Sequence, residues 1–330
     1  MAGRPNATAE RPLRFADPVR RSIVLTFGAA VLLFLIGGVI QPGFLRLANV
    51  FSVLVVASFT GFVAAGQSLV ILTGGIDLSV AWVINAGGVM LTSLAAGSDL
   101  NAAWVVPATL CMGLAVGAVN GLGIILLEVP PVVMTLGMNG VMQGLVLGLT
   151  NGFTSSGAKA YAPRAVSQVV NGVLPGGVPV QLLLWVALAA ALWVVLSRLT
   201  FGRWVYALGN NPVAAYLAGG STRRITVTVY ALGGGFSALT GIILAGYAGQ
   251  ATLGAGDPYL FASIAAVVIG GTSILGGTGH YFGTIAGAMI LTVLTDVLTL
   301  LSIPEAGRSV LYGFAILAAL LLYGRQPEEA

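Results

Sequence analysis

Leu72-Thr73-Gly74-Gly75-Ile76-Asp77-Leu78-Ser79-Val80 is a short polar interruption in an apolar stretch that otherwise runs from Val50 to beyond Val89. On each side lie about twenty mostly apolar residues, the length needed to cross a hydrocarbon core as a helix. A carboxylate between two such segments costs roughly 2.5 to 3.5 kcal/mol on insertion scales unless it is satisfied. An Asp beside a helix start can accept from exposed amides and meets the positive end of the helix dipole. The pattern therefore predicts that Asp77 caps the helix that follows. Two roles stay open for the break: a structural cap at a cytoplasmic turn, or part of a solute path or gate that would include Gly74, Gly75 and Ser79.

Working outward, the composition requires lipid as the solvent. A chain of 330 residues would ordinarily suggest two soluble domains, but 57% of the residues are apolar, 7% are charged and the mean hydropathy is +0.99. The 47 glycines suit membrane helices, where small residues let backbones approach. The net charge of +4 comes from 14 basic residues placed at helix ends and not along a stripe, which argues against nucleic-acid binding. Cys111 is the single cysteine, so one chain can form neither a disulfide framework nor a thiol metal site.

Apolar runs recur at 22–40, 50–72, 78–96, 104–127, 132–150, 180–199, 225–247, 261–275, 281–301 and 308–323. This predicts an all-α integral membrane protein of about ten transmembrane helices with broken or re-entrant segments. An even count puts both termini on one side. Arg4, Arg11, Arg14, Arg20, Arg21, Arg198, Arg203, Arg223, Arg224 and Arg325 fall on that side, against Arg46, Lys159, Arg164 and Arg308 on the other. The excess predicts cytoplasmic termini. The expected organisation is a cytoplasmic tail at 1–21, which is not a cleaved signal, a membrane domain at 22–325 and a second tail at 326–330.

Two connections exceed the rest. The outer one, 151–179, holds Ser155, Ser156, Lys159, Pro163, Pro175 and Pro179, a turn-rich cap able to face a delivery protein. The inner one, 200–224, is basic and partly helical in pattern. Glycines four apart, at Gly117 and Gly121, at Gly140, Gly144 and Gly148, and at Gly283 and Gly287, each mark one helix face expected to touch another helix.

A second glycine-rich break, Gly270-Gly271-Thr272-Ser273-Ile274-Leu275-Gly276-Gly277-Thr278-Gly279-His280, has two readings. Its exposed amides, with Gly271, Thr272 and Ser273, could meet a solute's hydroxyls as broken helices do in other transporters, or it is a tight cytoplasmic turn. Asn139 and Gln143, one helical turn apart, together with Asn85 and Asn120, are neutral amides at membrane depth. They suit either a hydroxylated solute or helix-to-helix hydrogen bonding.

Enzyme chemistry finds no footing. His280 is the only histidine and has no placed nucleophile or orienting acid, and the carboxylates are too dispersed for a metal cluster. No P-loop motif occurs, and Gly233-Gly234-Gly235 lacks a dinucleotide-binding spacing, so any ATP must bind another subunit. We expect no cofactor, no metal and no catalysis in this chain.

Three stretches together resemble the permeases of ribose, xylose and galactose ABC importers, across most of the chain. They are Leu72 to Val80, quoted above; Val129-Pro-Pro-Val-Val-Met-Thr-Leu-Gly137 continuing to Thr150-Asn-Gly152; and a third that begins at Gly202-Arg203, includes Tyr206-Ala-Leu-Gly-Asn-Asn-Pro-Val-Ala-Ala215 and ends with Ser263-Ile-Ala-Ala-Val-Val-Ile-Gly-Gly-Thr-Ser-Ile-Leu-Gly-Gly277. The resemblance implies a type II importer-like permease of a bacterial cytoplasmic membrane. It implies two permease copies lining one path, ATPase subunits docking from the cytoplasm, and a soluble solute-binding protein outside. It makes 206–217 a short coupling helix set in an ATPase groove, with Tyr206, Ala207, Gly209, Asn210, Asn211, Ala214 and Ala215 among its residues and Arg203, Arg223 and Arg224 beside it. The implied cargo is a monosaccharide or related polyol. Gln143 stands where the family commonly has Arg, Leu260 and Ala262 where it has an acidic pair, and Thr278 where it has a basic residue. The alternative is an ion-coupled secondary transporter, for which Asp77 and Asp296 are the candidate carboxylates.

Overall fold

The computed structural model describes residues 18–152, 160–304, 306–308, 310–311 and 313–314. Residues 1–17 of the predicted N-terminal tail, the predicted tail 326–330, the segment with Ser155, Ser156 and Lys159, and most of the predicted span 308–323 lie outside the described residues; 18–21, expected in the tail, belong to α1. The chain begins with α1 (Pro18–Ile40), passes a 3-10 turn (Pro42–Leu45) and continues through α2 (Leu47–Leu72), α3 (Val80–Ala95), α4 (Asp99–Leu126), α5 (Pro131–Thr150), α6 (Arg164–Val170), α7 (Val180–Arg198), α8 (Thr200–Asn210), α9 (Pro212–Leu217), α10 (Thr222–Ala248), α11 (Asp257–Ile269) and α12 (Tyr281–Leu300). No strand occurs among the described residues.

Seven helices, α1, α2, α4, α5, α7, α10 and α12, are long and apolar enough to cross a membrane. The other two predicted spans in this region fall on α3 and α11, with 16 and 13 residues. At 1.5 Å per residue they reach only about 24 and about 20 Å, short of a hydrocarbon core of about 30 Å. The glycine-rich breaks at 73–79 and 270–280 are what shorten them.

The bundle is centred on α2 and α10. α10 runs along α4, α3 and α2, while α12 packs on α1, α11 and α2. Close approach of backbones sets these contacts, since lipid supplies no hydrophobic drive between helices. A Cβ on Gly66 would lie 2.8 Å from the Gly233 Cα, and one on Gly121 2.7 Å from the Val227 Cα. The predicted contact faces of Gly117 and Gly121 meet α10, and those of Gly283 and Gly287 meet α11 and the Gly270 backbone before α12. The third face differs: Gly140, Gly144 and Gly148 have nothing within 4 Å of a Cβ. α5 touches the bundle through a narrow edge that includes Thr135, Met142 and Val146, and its glycines lie on the opposite, open side.

The connections sort onto two ends of the bundle. At one, the Gly97 N–H donates to the Tyr161 carbonyl at 2.9 Å, and the Ala162 N–H to the Gly249 carbonyl at 2.9 Å. There the Ala165 N–H also donates to Asp99 at 2.8 Å. At the other end, the Gly277 N–H donates to the Leu72 carbonyl at 2.9 Å. The long connection at the first end contains α6, so it is partly helical where the sequence suggested only turns.

Candidate functional site

At the second end both glycine-rich breaks meet one helix, α8. Its inner face, with Val205 and Leu208, is buried with Leu69, Leu72, Val229 and Tyr281. Three polar or backbone contacts then fix it. The Tyr206 hydroxyl donates to the Gly279 carbonyl at 3.0 Å, and Asn210 Nδ2 donates to the Gly277 carbonyl at 3.3 Å. Gly209 sits so close to the first break that a Cβ there would collide with the Leu72 carbonyl and the Gly277 amide. Burial pushes the Tyr206 hydroxyl above the ordinary phenol range, so it stays a donor at physiological pH. Gly74 and Gly276 touch in turn, with the Gly74 N–H 2.7 Å from a Cβ position on Gly276. Gly276 and Gly277 have φ of +92° and +75°, a region open to glycine at little cost.

The segment 206–217, predicted as one coupling helix, is two. Pro212 has no N–H and disfavours helical geometry in the residue before it, and Asn211 is extended at φ −159° and ψ 103°. Asn211 Oδ1 then accepts from the Ala214 N–H at 3.0 Å and caps α9. The split also divides roles. Tyr206, Gly209 and Asn210 face the breaks, and Ala215 is buried at 4% exposure. Arg203 and Ala214 are exposed, and Ala207 is half-buried. The outward apolar surface belongs to residues the sequence reading did not single out: Val213, Tyr216 and Leu217 on α9, exposed by 67%, 68% and 79%. Their spacing on a capped turn after Asn211-Pro212 was the available signal.

Ser79 is the N-cap residue of α3 and makes no side-chain cap bond of its own; Asp77, two residues earlier, meets the helix start in its place, its Oδ1 accepting from the Ser79 N–H at 2.8 Å and the Ser79 hydroxyl at 2.6 Å. Asn120 Nδ2 donates to the same hydroxyl at 2.9 Å, which ties α4 to the break. Thr135 on α5 accepts from the Leu78 N–H at 3.0 Å. In the second break Thr272 is buried, the Ser273 N–H donates to the Thr278 carbonyl at 2.9 Å, and Ser273 Oγ accepts from the Leu275 N–H at 3.3 Å. His280 Nδ1 accepts from the Phe282 N–H at 3.2 Å and so caps α12. Burial lowers its pKa below the ordinary 6.5.

The candidate path residues therefore do not share one cavity. Gly74, Gly75, Asp77 and Ser79 lie in the first break, Gly271, Thr272 and Ser273 in the second, and α8 joins the two breaks. Asn85 points the other way: its Oδ1 accepts from the Gly256 N–H at 3.0 Å, just before α11, beside a cavity of about 110 Å³. That is below the roughly 300 Å³ at which ligand pockets begin. Asn139 Oδ1 accepts from the Trp82 N–H at 3.4 Å, whereas Gln143 is exposed on α5. A wider recess of about 460 Å³ opens by the turn between α1 and α2, lined by Arg46, Asn49 and Asp296 among others, away from both breaks. Among the described residues no group of His, Cys, Asp and Glu is placed to hold a metal.

A family model described as branched-chain amino acid transport system / permease component matches residues 49–320. The ribose import permease protein of Haemophilus influenzae is 32% identical over 296 residues, covering 90% of this chain and 91% of that protein. That of Bacillus subtilis is 33% identical over 315 residues, 96% of each. The fructose import permease protein of Rhizobium meliloti is 33% identical over 272 residues, 80% of this chain and 74% of that protein. No solved structure matches.

Proposed function

The chain belongs to the branched-chain amino acid transport system / permease component family, and from that premise we propose that it forms the membrane path of an ATP-driven importer for a monosaccharide or related polyol. The cargo class rests on the ribose and fructose import permeases that it matches along most of its length. Neutral amides and hydroxyls in and near the breaks suit a hydroxylated, uncharged solute.

In this reading the chain hydrolyses nothing. A separate ATPase subunit binds ATP and takes α9 into a groove through Val213, Tyr216 and Leu217, a short apolar helix face of the kind such grooves accept. The observation that carries the proposal is the continuity from that exposed tip, across Asn211-Pro212, to α8 and its seat on both breaks. Arg203, Arg223 and Arg224 flank the docking face, and this excess of basic residues supports a cytoplasmic position for it and for both termini. A soluble binding protein delivers solute at the end that carries α6. A second permease copy covers the open face of α5, where the exposed Gln143 amide would otherwise face lipid. Membrane lipid surrounds the pair.

The test is to purify the chain with its native partners, identify what the soluble protein binds, and measure uptake of that compound into proteoliposomes. Uptake that needs ATP inside and the soluble protein outside is expected. Uphill uptake by the chain alone, driven by a proton or sodium gradient, would refute the proposal in favour of a secondary transporter.

A further inference from the structure

The chemistry beneath the α8 seat is not used by the function proposed above. Asp77 is 1% exposed, and both donors that reach it, the Ser79 N–H and hydroxyl, go to Oδ1. Its Oδ2, the Asn120 Oδ1 and the Tyr230 hydroxyl are all buried without a hydrogen-bond partner. Asn120 and Tyr230 are themselves 0% and 1% exposed.

A Cβ on Gly233, one turn along α10 from Tyr230, would lie 3.7 Å from Asp77 Oδ2. Gly75, two residues before Asp77, lies against the Tyr230 hydroxyl. Asn120 joins the group through Ser79. None of the three bare oxygens bonds another, and no donor reaches Asp77 Oδ2, so the carboxylate lacks a donor on that side.

Among the described residues no positive charge compensates. α2, α3 and α5 carry no acidic or basic side chain, and α4 carries Asp99 in its first turn, at the opposite end, and the exposed thiol of Cys111. On α10, Arg223 and Arg224 are exposed, two turns before Tyr230, which leaves Tyr230 as the titratable group facing Asp77. Thr135 from α5 is engaged with Leu78 and the Ile76 carbonyl. A carboxylate in such a place carries a full charge with one oxygen bare, whereas a neutral acid removes the charge and adds the missing donor.

We propose that Asp77 is a proton-binding site: in this conformation it is a neutral carboxylic acid with its proton on Oδ2, on the side of α10. The proton keeps the 73–79 break packed between α4 and α10, directly under the α8 seat. The assignment does not depend on the cargo or on the ATPase.

Infrared spectroscopy of the full chain in lipid bilayers tests it. With aspartate carrying a carbon-13 side-chain carboxyl, the wild type at neutral pH should show the isotope-shifted carbonyl stretch of a protonated acid, and Asp77→Asn should lose it. Should Asp77→Asn fail to fold, Asp17→Asn, Asp99→Asn, Asp257→Asn and Asp296→Asn, made singly, should each keep the band. Loss of a carboxylate band in place of the acid band on Asp77→Asn overturns the proposal. So does loss of the acid band in one of the other four variants. Thermal stability that rises with sodium chloride but not with choline chloride, and only while Asp77 is present, overturns it in favour of a bound metal cation.

Discussion

Replacing Gly209 by Ala separates a seated helix from a free one, because the two situations give effects of opposite sign. In an open helix interior, Gly to Ala stabilises by roughly 0.5–1 kcal/mol through chain entropy. Here the new Cβ falls on the Leu72 carbonyl and the Gly277 amide, so α8 and the break must part by on the order of 1 Å to restore van der Waals separation. Overpacking of that kind costs about 1–3 kcal/mol. Loosening the 2.9 Å bond between the Gly277 amide and the Leu72 carbonyl adds about 1–3 kcal/mol if both groups are left bare. After the propensity gain, a net loss of roughly 1–5 kcal/mol remains, which raises local opening of the seat about 5-fold or more. Hydrogen exchange in nanodiscs should show it as lost protection at 206–210 and 272–279, with solute-stimulated ATP hydrolysis falling in the reconstituted complex. A Gly209→Ala chain with higher melting temperature and unchanged protection would refute the seat.

Other expectations are as direct. Tyr216→Asp and Leu217→Asp should leave melting of the isolated chain unchanged and weaken pull-down of the ATPase by about 30-fold or more, as central apolar anchors do; equal capture would remove α9 as the docking face. Ala215→Asp should unfold the loop, because that position is buried. Gly144→Ala should be neutral or stabilising by up to about 1 kcal/mol in detergent-solubilised single chains. Gly117→Ala, whose Cβ would strike the Tyr230 carbonyl, should destabilise by about 1–3 kcal/mol; equal melting shifts would contradict the packing. His280 caps α12 only while Nδ1 is unprotonated. Its folded pKa lies below 6.5, so the unfolded chain takes up the proton first as pH falls. The stabilisation is complete above the unfolded value and is lost as pH drops through the folded one. His280→Asn should remove that part of the acid sensitivity in a melting series against pH.

Much of this was legible in one dimension. The run 50–72 ends at the same residue as α2 because Gly74 and Gly75 cannot continue a packed helix, and 180–199 and 281–301 fall within one residue of α7 and α12. What a single sequence could not supply was which face of each helix finds a neighbour. Gly117 and Gly144 sit in the same four-residue pattern, yet only the first meets a backbone, because α5 is held by one edge. The place of Asp77 before an apolar run predicts a cap, and its carboxylate does accept from the Ser79 N–H at the helix start; what the run does not show is that the same carboxylate turns inward beside groups 43 and 153 residues further along. The 206–217 segment was recognised as a unit, but its break at Asn211-Pro212 assigns the inward and outward roles to different helices.

That division suggests how a push on α9 reaches the rest of the bundle. α8 holds both breaks, one leading into α3 and the other following α11. Both are apolar helices of 16 and 13 residues, too short to cross a bilayer, so each can shift without dragging a full span. Asn85 closes the circuit, since its Oδ1 accepts from the Gly256 N–H at the start of α11. α8, the first break, α3, α11 and the second break thus form a ring with one polar clasp on the far side. Asn85→Ala opens the clasp and leaves a buried amide bare, a cost of about 1–3 kcal/mol, while α8 and α9 stay untouched. ATPase docking should then be normal and ATP hydrolysis should continue, with solute moved per ATP reduced several-fold. Had the ring no mechanical role, Asn85→Ala would lower hydrolysis and uptake in the same proportion.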